Sequence, residues 1–523
     1  MTDVKVIDLF AGPGGLSEGF SGFVDSKAGR PFKVVVSAEM EQSAHATLSL
    51  RALQRTVRLQ GDIVDIQRVG EVTEALALTA GIGVGQAAEA AGLGTAWKQV
   101  STEVLNIELG TAAGDERLSA ALDTGLKGSS PLVLIGGPPC QAYSLVGRVR
   151  NRGKVGYRPE ADARHFLYRQ YLAILSARHP DVFIMENVTG ILSSKVAGAS
   201  MFSQILADLA EPDHALGVAR LGHGVRYRLV PLVARAEAGL WDSSAFLPSD
   251  YVVRAEEHGV PQARHRVIIV GLRDEACGAA PLELSLPKVE RARSAGDVLS
   301  DLPPLRSGLN QSADGEAEWL KVVRTLCNEL IRAEDVCGAE VAAFLRALEW
   351  RPSLPRRATR YLPRRSNQFI SNWYRAQHEG RVVHNHETRT HMASDLKRYL
   401  FCAAYAAVNG RSPTSTDFPS DLSPEHANWA SGHFADRFRV QLPTRPSSTV
   451  TSHLAKDGHQ FIHWDPTQCR SLTVREAARL QSFPDDYFFV GPRTAQFTQV
   501  GNAVPPLLAT GIAGLVAAHL GIG

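Results

Sequence analysis

Residues 4–15 read VKVIDLFAGPGG, an apolar strand-like run that passes directly into a glycine-rich turn. A helical stretch follows at residues 16–20, so the segment predicts a strand, a turn and a helix. Such glycines either form a simple tight bend or let the backbone approach a ligand closely. No lysine follows them as a phosphate-binding loop requires, so an adenosine without phosphates fits better than a nucleoside triphosphate.

Similar strand-like runs recur along the first 275 residues and alternate with helical stretches. They lie at residues 33–38, 132–135, 182–185 and 266–271. This rhythm predicts an α/β domain with a mostly parallel sheet and helices on both faces. The segment 66–128 is rich in Ala, Gly, Leu and Glu, and we expect it to be a helical insertion.

The rhythm stops near residue 276 and resumes near residue 441. In between, residues 276–440 contain proline-rich turns, an apolar helical stretch and an arginine-rich block. This change predicts a smaller, irregular second domain. The first domain is then discontinuous, with its main part at 1–275 and its last part at 441–523.

Charge is distributed unevenly along the 523 residues. The formal net charge is only +2, yet residues 351–400 hold eleven Lys and Arg against three Asp and Glu. A basic block of this kind predicts a phosphate-binding surface, although a merely solvated face has the same composition.

The six cysteines are scattered without any CxxC pair. This spacing argues against a zinc site and a disulfide framework, and it is typical of a reducing cytosol. No signal peptide is predicted at the N-terminus. Residues 504–523 carry no Asp, Glu, Lys or Arg. They could be read as a membrane span, but their prolines, glycines and small residues favour a helix packed on the sheet.

One cysteine follows a buried-type strand. Residues 132–135 lead into GGPPCQAYS, which places Cys140 on a proline-stiffened loop at the carboxyl end of a predicted parallel strand. A lone cysteine is more often an inert buried residue. However, the strand at 182–185 ends at Glu186, and Arg264 and Arg266 follow in alternation, so a carboxyl group and two guanidinium groups are expected at the same sheet edge.

These segments resemble the cytosine-5 DNA methyltransferase family, whose motifs FxGxGG, PCQ, ENV, QxRxR and GNxVP follow one another in this order. Residues 475–484 also resemble the family's RExxRxQxFP segment. The five motifs lie at residues 10–15, 139–141, 186–188, 262–266 and 501–505.

The resemblance implies a Rossmann-like S-adenosylmethionine methyltransferase domain and a target-recognition domain at 276–440. It implies methyl transfer to carbon 5 of a flipped-out cytosine in double-stranded DNA, with S-adenosylhomocysteine as the product. Cys140 would add to carbon 6, Glu186 would share a proton with ring nitrogen 3, and Arg264 and Arg266 would stabilise the reacting base.

The resemblance also implies the cofactor and DNA contacts. Glu39, at the end of the second predicted strand, suits a ribose. Where the family often has an aromatic residue after this acid, the chain has Met40. The cofactor residues are expected to be Phe10, Gly12, Gly14, Gly15, Glu39, Met40, Asp62, Ile63, Pro139, Leu167 and Asn502. The DNA contacts are expected to be Gln141, Ser144, Arg148, Arg150, Arg356, Arg357, Arg364, Arg365, Asn385 and Arg389.

Several alternatives remain open at this point. His384, His386 and His391 could form a zinc site. A tRNA cytosine methyltransferase shares the fold, but its Cys-Phe-Thr motif is missing here. A silent DNA-binding regulator would be expected to lack Cys140 or Glu186. We expect a cytoplasmic, nucleoid-associated prokaryotic enzyme that acts on double-stranded DNA, with a restriction endonuclease or other defence proteins as partners and neither a membrane nor a metal.

Overall fold

The structure of the chain is a computed structural model. It describes residues 3–27, 29–79, 81–128, 130–139, 167–196, 199–219, 224–233, 246–274, 284–310, 314–361, 367–375, 382–424 and 437–522. Internal contacts divide the chain into two compact units. Unit 1 comprises Met1–Gly259, Arg264–Glu290 and Ala503–Gly523, and unit 2 comprises Val260–Ala263 and Arg291–Asn502.

Strands and helices alternate through the first half of the chain, as expected. The strands are β1 Val4–Leu9, β2 Phe32–Glu39, β3 Val104–Asn106, β4 Leu132–Gly136, β5 Val182–Val188, β6 Lys195–Val196, β7 Ala199–Ser200, β8 Tyr227–Val230, β9 Val252–Arg254, β10 Gln262–Ala263, β11 His265–Arg273, β12 Gly308–Leu309, β13 Thr390–His391, β14 Val440–Gln441, β15 Ser447–Ser448 and β16 Ile462–His463. The α-helices are α1 Gly15–Gly22, α2 Gln42–Gln60, α3 Ile63–Leu78, α4 Val84–Ala90, α5 Gly94–Glu103, α6 Ala112–Gly125, α7 Leu167–Arg178, α8 Met201–Ala210, α9 Pro212–Leu216, α10 Ala295–Leu299, α11 Glu316–Arg332, α12 Glu334–Cys337, α13 Ala339–Arg346, α14 Ala393–Asn409, α15 Val474–Leu480, α16 Arg493–Asn502 and α17 Pro506–His519.

Unit 1 is built on one twisted sheet with the strand order β3-β2-β1-β4-β5-β11-β8, and β9 also pairs with β11. The first five strands in this order are parallel, whereas β11 runs antiparallel to β5, β8 and β9. The predicted mostly parallel sheet is therefore confirmed. Chain order reverses between β1 and β4, and in open α/β sheets ligands bind at the carboxyl ends of the strands beside such a reversal.

The sheet is held by apolar side chains that alternate along its central strands. Ile7 and Leu9 of β1 join a core cluster with Leu134 of β4, Phe183 of β5 and Tyr171 of α7, all fully or almost fully buried. This continuous burial is typical of parallel strands covered on both faces. It explains why the short runs read from the sequence fold as strands.

The segment 66–128 is mostly helical, as expected, but it is not only an insertion. It contains α4, α5 and α6, and it also contributes β3, the edge strand of the main sheet. Ser37, Ala38 and Glu39 of β2 pair with β3 in parallel. The segment therefore extends the sheet beside the end of β2.

Helix α17 packs against α1 within unit 1. A Cβ atom at Gly19 would lie 2.3 Å from the Cβ of Ala509, so only glycine permits this close approach. Arg493–His519 is the one described stretch that is long and apolar enough to cross a membrane, and 67% of its apolar 18-residue window is buried inside the protein. The position of α17 is that of a core helix.

Unit 2 has its own core, built around α11, α13 and α14. Trp319, Val323, Leu345, Tyr399 and Cys402 are among its buried members. The cysteines described in this part of the chain are all buried. Such a core can be stable without a metal or a disulfide.

Arginines of the segment 475–484 are buried in unit 2 and fully paired. Arg479 forms ion pairs with Asp485 at 2.6 Å and with Asp301, and Arg475 donates to the backbone oxygens of Pro484 and Tyr487. Buried charges of this kind need such partners. Residues 441–502 thus lie in unit 2, whereas the sequence had grouped them with the catalytic domain. The assignment of 276–440 to target recognition stays a prediction.

Candidate active site

The glycine turn at the end of β1 has an unusual backbone. Gly12 and Gly14 have φ angles of 55° and 98°, and Phe10 has a φ of 56°, which is uncommon for a residue with a side chain. The amide of Ala11 donates to the carbonyl of Ala38 on β2 at 3.1 Å, which ties the turn to the neighbouring strand. Among the described residues, no atom lies within 4 Å of the place where a Gly12 side chain would begin, so the turn is open to them on that side.

Glu39 lies beside this turn at the end of β2. Its two carboxylate oxygens accept hydrogen bonds from the amides of Gly12 at 2.8 Å and Glu41 at 2.7 Å. Burial raises the pKa of Glu39, while these two amides oppose the rise. The Asn106 side chain donates to the carbonyls of Glu39 and Met40, which holds the strand end in place. The acid is thus fixed against the glycine turn.

Exposed apolar side chains and one acid complete this end of the sheet. Met40 is 61% exposed and Ile63 is 71% exposed, although both are apolar. Asp62 caps the N-terminus of α3, where its Oδ1 accepts hydrogen bonds from the amides of Val64 and Asp65. An open glycine turn, a fixed carboxylate and uncovered apolar surface together fit an adenosine that carries no phosphate.

Gly15 joins two distant parts of the sequence within unit 1. A Cβ atom there would lie 2.1 Å from the carbonyl oxygen of Val504, far inside contact distance. Gly15 begins α1, and Val504 lies two residues before the start of α17. The first and the last sequence motif therefore meet at this point, and Gly15 is required for their close packing.

A second group of polar residues lies at the carboxyl end of β5. Glu186 of β5 is opposite Ile268 of the antiparallel strand β11, two residues beyond Arg266. The Arg266 Nε lies 3.0 Å from the Glu186 Oε1, and these two side chains are only 13% and 12% exposed. The antiparallel register thus brings the predicted carboxylate and the predicted guanidinium into an ion pair.

Arg264 joins this pair as a second, almost completely buried guanidinium. It is 1% exposed. Burial lowers its pKa well below the ordinary value, the charge of Arg266 lowers it further, and Glu186 opposes the change. Burial also lowers the pKa of Arg266, again opposed by Glu186. With all three side chains ionised, two guanidinium groups face one carboxylate in a dry environment, an arrangement that favours a ligand with anionic character.

The segment that follows β4 lies beside Glu186. A Cβ atom at Gly137 would lie 3.2 Å from the Glu186 Oε2. The Asn187 side chain donates to the carbonyl of Pro138 at 3.2 Å, which fixes the chain just before Pro139. Cys140, Gln141, Ser144, Arg148 and Arg150 lie outside the described residues. The described chain thus passes beside Glu186 at Gly137 and ends at Pro139, which directly precedes Cys140 in the sequence.

Comparison with known proteins identifies the family. A model of the C-5 cytosine-specific DNA methylase family matches residues 111–217 and 246–517. The type II methyltransferase M.Bpa9945I of Bacillus paralicheniformis is 30% identical over 96% of this chain and 96% of its own length. The chain belongs to the C-5 cytosine-specific DNA methylase family. It is therefore a DNA (cytosine-5-)-methyltransferase, and the predicted enzyme type is confirmed.

Two further similarities support this assignment. The type II methyltransferase M.AgeI of Thalassovita gelatinovora is 27% identical over 75% of this chain and 84% of its own length. A crystal structure of an E. coli prophage protein described as a DNA modification methyltransferase has a TM-score of 0.54 and 19% identity, and covers 99% of this chain and 100% of its own. The structural similarity confirms the Rossmann-like methyltransferase fold, and family membership implies S-adenosylmethionine as the methyl donor.

Leu167 and Asn502 are the remaining predicted cofactor residues. Leu167 is half-buried at the start of α7 in unit 1. Asn502 is exposed at the end of α16, and it belongs to unit 2. Their contact with the methyl donor of this DNA methylase stays a prediction.

Two of the predicted base-reading residues hold the protein backbone instead. The Asn385 side chain donates to the carbonyl of Phe489 at 3.1 Å and accepts from its amide at 3.0 Å. Arg389 donates to the carbonyls of Leu454 and, at 3.0 Å, Lys456. Both side chains therefore contact the backbone of unit 2 in the DNA-free protein, and their role in base reading stays a prediction.

The basic block is only partly available for a ligand. Arg356 pairs with Asp314 at 2.9 Å and donates to the carbonyl of Thr388, so it is structurally engaged. Arg357 and Arg360 are exposed in the same segment. Arg364 and Arg365 lie outside the described residues. Arg357 and Arg360 are therefore the better described candidates for phosphate contact.

The three histidines of the zinc alternative have separate environments. His386 is buried between the hydroxyl of Thr473 and the carbonyl of Pro303, each at 2.9 Å. His384 packs edge-on against an aromatic ring, and His391 lies near a serine hydroxyl. Within the part of the chain that the structure describes, no group of three or more His, Cys, Asp or Glu is arranged to hold a metal.

The sequence analysis missed two polar residues of unit 1. Asn187 fixes the Pro138 carbonyl. Asp8 is 1% exposed and is the second-to-last residue of β1, shortly before the glycine turn. The signal for Asp8 was present, because an acid within the apolar run VKVIDLF has no place in an ordinary buried strand.

Proposed function

We propose that the chain methylates carbon 5 of a flipped-out cytosine within a specific duplex DNA sequence, as the modification enzyme of a type II restriction-modification system in the bacterial cytoplasm. The observation that carries the proposal is the buried ion pair of Glu186 with Arg266, together with the buried Arg264. This group lies beside the segment that directly precedes Cys140. A cognate restriction endonuclease is then the expected cellular partner, in keeping with the type II relatives.

The proposed chemistry needs a nucleophile and a stabilised base. The Cys140 thiolate forms a bond to carbon 6 of cytosine, and the electron pair of the 5,6 double bond moves toward carbon 5. Glu186 shares a proton with ring nitrogen 3, and this sharing makes carbon 6 electrophilic. Arg266 donates to the exocyclic oxygen of the base, and Arg264 stabilises the negative charge that develops.

S-Adenosylmethionine, when bound, supplies an electrophilic methyl group for carbon 5. Loss of the carbon 5 proton to water then restores the double bond and breaks the bond between carbon 6 and sulfur. The atoms that react are buried inside a duplex, so the target base has to leave the stack before Cys140 can reach it.

The methyl donor is proposed to bind at the glycine turn. Glu39 would accept hydrogen bonds from the ribose hydroxyls, while Met40 and Ile63 would cover the adenine ring. Asp62 would accept from the adenine amino group. The turn at residues 12–15 would hold the methionine part, and Phe10 would contact the adenine.

The nucleophile assignment is tested with labelled S-adenosylmethionine and duplex DNA. Cys140→Ser should retain cofactor binding while methyl transfer falls below about 1% of wild type, because covalent catalysis is lost. Duplex containing 5-fluorocytosine should trap a covalent complex, and peptide mapping should locate it on Cys140. The control Cys327→Ala removes a buried thiol and should still form the complex. Transfer above about 1%, or trapping on another cysteine, would refute the role. Transfer to tRNA in preference to DNA would refute the substrate.

The reading role of the basic block is tested by a salt titration of DNA binding. Replacing Arg357 and Arg360 by glutamine should weaken binding to specific and random duplexes alike and should lower the salt slope by about 1.8, because each lost phosphate contact removes about 0.9 of a released counterion. Neutralising Arg226 and Arg254, exposed arginines outside the block, is the matched control. An unchanged slope would instead favour a protein-docking face.

A further inference from the structure

A cavity of about 440 Å³ lies within unit 2, and none of its lining residues belongs to the sites proposed in unit 1. The segments after α10, α13 and β16 contribute to its lining, together with the first turn of α15. Leu302, Pro303 and Pro304 supply an apolar wall, and polar side chains line much of the rest. The volume is within the range of small-molecule sites, so the cavity is large enough to hold a ligand.

Two charged residues of the lining neutralise each other. Arg470 and Glu476 are each 1% exposed, and two hydrogen bonds of 2.7 Å join the guanidinium to the carboxylate. Other donors of Arg470 contact the side-chain oxygen of Gln468 and the carbonyl of Ser471. Glu476 also accepts the amide of Thr473 at 2.7 Å. Because this buried pair is balanced and hydrogen-bonded, it does not require an ionic ligand group.

His463 lines the same cavity and has an unused hydrogen-bond donor. It is 5% exposed, and its Nδ1 accepts the amide of Asp465 at 3.0 Å, so the neutral ring carries its proton on Nε2. Burial lowers the pKa of His463 to about 3, which keeps the ring neutral at pH 7. Among the described residues, Nε2 has no acceptor within hydrogen-bond distance, and the Oε1 of Glu476 lies 3.8 Å from it. A buried donor without an acceptor is costly, so this side chain indicates a ligand that supplies one.

An aromatic ring and an exposed guanidinium line the cavity as well. The Trp464 indole is half-buried and stacks on the His463 ring, with centroids 4.3 Å apart and 23° between the planes. Arg351 is exposed, and its Nη2 lies 3.3 Å from a carboxylate oxygen of Asp465. An indole suits stacking with a nucleobase, and a guanidinium suits a phosphate. A buried donor, an aromatic surface, an apolar wall and an exposed cation together provide the chemistry that recognises a nucleotide.

The cavity adjoins the segment that carries the basic block, whose first residue is Arg351. Two residues beyond the apolar wall, the amide of Arg306 donates to the carbonyl of Pro355 at 3.0 Å, which ties the wall to this segment. Arg357 and Arg360, the candidates for phosphate contact, follow shortly after and are exposed. A nucleotide in the cavity would therefore lie near a surface that suits the phosphates of its own strand, which favours DNA over a free nucleotide as its source.

We propose that this cavity is a nucleotide-binding subsite of unit 2. The base packs against Trp464 and accepts a hydrogen bond from the Nε2 of His463, while Arg351 contacts the phosphate. The source is a nucleotide of the bound DNA other than the target cytosine, and its base has to leave the stack before it can enter. The choice of DNA as the source rests on the proposed function, whereas the subsite itself does not.

Duplexes with one unpaired nucleotide test the DNA source with the full chain. The unpaired nucleotide is moved through every position of a duplex selected for tight binding from a random library, because an unpaired base leaves the stack at little cost. The matched control at each position is an abasic nucleotide, which keeps the sugar and phosphate but has no base. At one position or more outside the target cytosine, the duplex with the base should bind about 5- to 150-fold more tightly than the abasic one, the range of one base–aromatic stack.

Variants assign this gain to the cavity. Trp464→Ala should reduce it to less than about twofold, and Trp464→Phe, which keeps an aromatic face, should restore most of it. Arg351→Gln should weaken binding of both duplexes and lower the salt slope by about 0.9, because one phosphate contact is lost. Arg346→Gln removes another exposed arginine of unit 2, one that is paired with Glu334, and should leave the slope unchanged.

Calorimetry with the four deoxynucleoside 5′-monophosphates and the four matching nucleosides tests a free nucleotide as the source. If the cavity serves a free nucleotide, Trp464→Ala should weaken binding of both ligand types, and Arg351→Gln should weaken only the monophosphate, by about tenfold. Because Arg351 is exposed, its variant keeps this arm informative if Trp464→Ala fails to fold.

The outcomes separate the subsite from the function proposed above. A base-dependent gain that Trp464→Ala abolishes supports the subsite with DNA as its source. Monophosphate binding that depends on Trp464 and Arg351, without such a gain, supports the subsite with a free nucleotide as its source. If neither occurs, or if the gain survives Trp464→Ala, the inference is overturned. If the protein binds neither duplex DNA nor S-adenosylhomocysteine, the proposed function fails, and the calorimetric arm still decides the subsite.

Discussion

Replacing Glu186 by glutamine is expected to destabilise unit 1 more than replacing Arg266 by methionine. The reason is the balance of charge around the ion pair. Burial lowers the pKa of both Arg264 and Arg266, and the charge of Glu186 opposes this change in each case. When Glu186 is removed, the two arginines are left as buried like charges without that opposing charge. With Arg266 removed, Glu186 keeps the charge of Arg264 as a neighbour.

The magnitudes follow from the burial of the three side chains. Removing one partner of a buried ion pair costs about 3–5 kcal/mol. Because the Glu186 and Arg266 side chains are still 12% and 13% exposed, we expect Glu186→Gln to cost about 3 kcal/mol. Arg266→Met leaves the remaining charges balanced and should cost about 1 kcal/mol. The double variant should cost less than the two single costs combined, with an interaction energy of about 2 kcal/mol.

Differential scanning calorimetry of the ligand-free chain measures these differences. The transition of unit 1 is recognised by its upward shift when S-adenosylhomocysteine is added. At about 2–4 °C per kcal/mol, Glu186→Gln should lower its midpoint by about 6–12 °C. Glu256→Gln, which removes an acid paired with His265 at 2.7 Å, is the matched control and should cost less than about 1 kcal/mol. A midpoint for Glu186→Gln within 2 °C of wild type, or a larger loss for Arg266→Met, would refute the charge argument.

Three further outcomes concern the cofactor end of unit 1. Gly15→Ala should lower the free energy of unfolding by about 1–3 kcal/mol, because the new Cβ would lie 2.1 Å from the Val504 carbonyl oxygen. Gly12→Ala has open space but a φ of 55°, and should lower it by about 1 kcal/mol. Urea titration measures both losses. Glu39→Gln should weaken S-adenosylhomocysteine binding about tenfold, measured by calorimetry. Asp8→Asn should raise the stability of the ligand-free protein at pH 8 by up to about 4 kcal/mol and leave it unchanged near pH 4. Because the pKa of Asp8 is raised from 3.8 to about 7 in the folded protein, the wild type loses stability as the pH rises through this interval, and Asp8→Asn does not. Equal stabilities of the two proteins at pH 8 would contradict this prediction.

Five strands of the central sheet (β1, β2, β4, β5 and β11) could be predicted because each is a short apolar run bounded by turn residues. The strands β3, β8 and β9 were not predicted, since each has only three or four residues. The placement of 441–502 in unit 2 was also beyond the sequence. That segment has α/β-like local patterning, but its buried arginines pair with acids such as Asp301, far away in the chain. The local sequence pattern predicts helices and strands, whereas the boundaries of the two units depend on ion pairs between residues far apart in the chain.

At the candidate site, motif order predicted Glu186 and Arg266, and the register of β5 with β11 brings them together. In unit 2, residue type alone does not decide which groups a polar side chain contacts. Asn385 and Arg389 have side chains suited to bases, yet the same amide and guanidinium donors also suit exposed backbone groups, and they are used that way here. A single sequence cannot separate these uses, because both require the same chemistry.

The β5 end of unit 1 carries an excess of buried positive charge. Two guanidinium groups there face one carboxylate. This excess costs stability in the free protein, and it is opposite in sign to the ligand proposed for that end, a base that becomes anionic. If the base binds there as proposed, the cost of the buried charge decreases on binding, and the stability of unit 1 is then coupled to occupancy of the site.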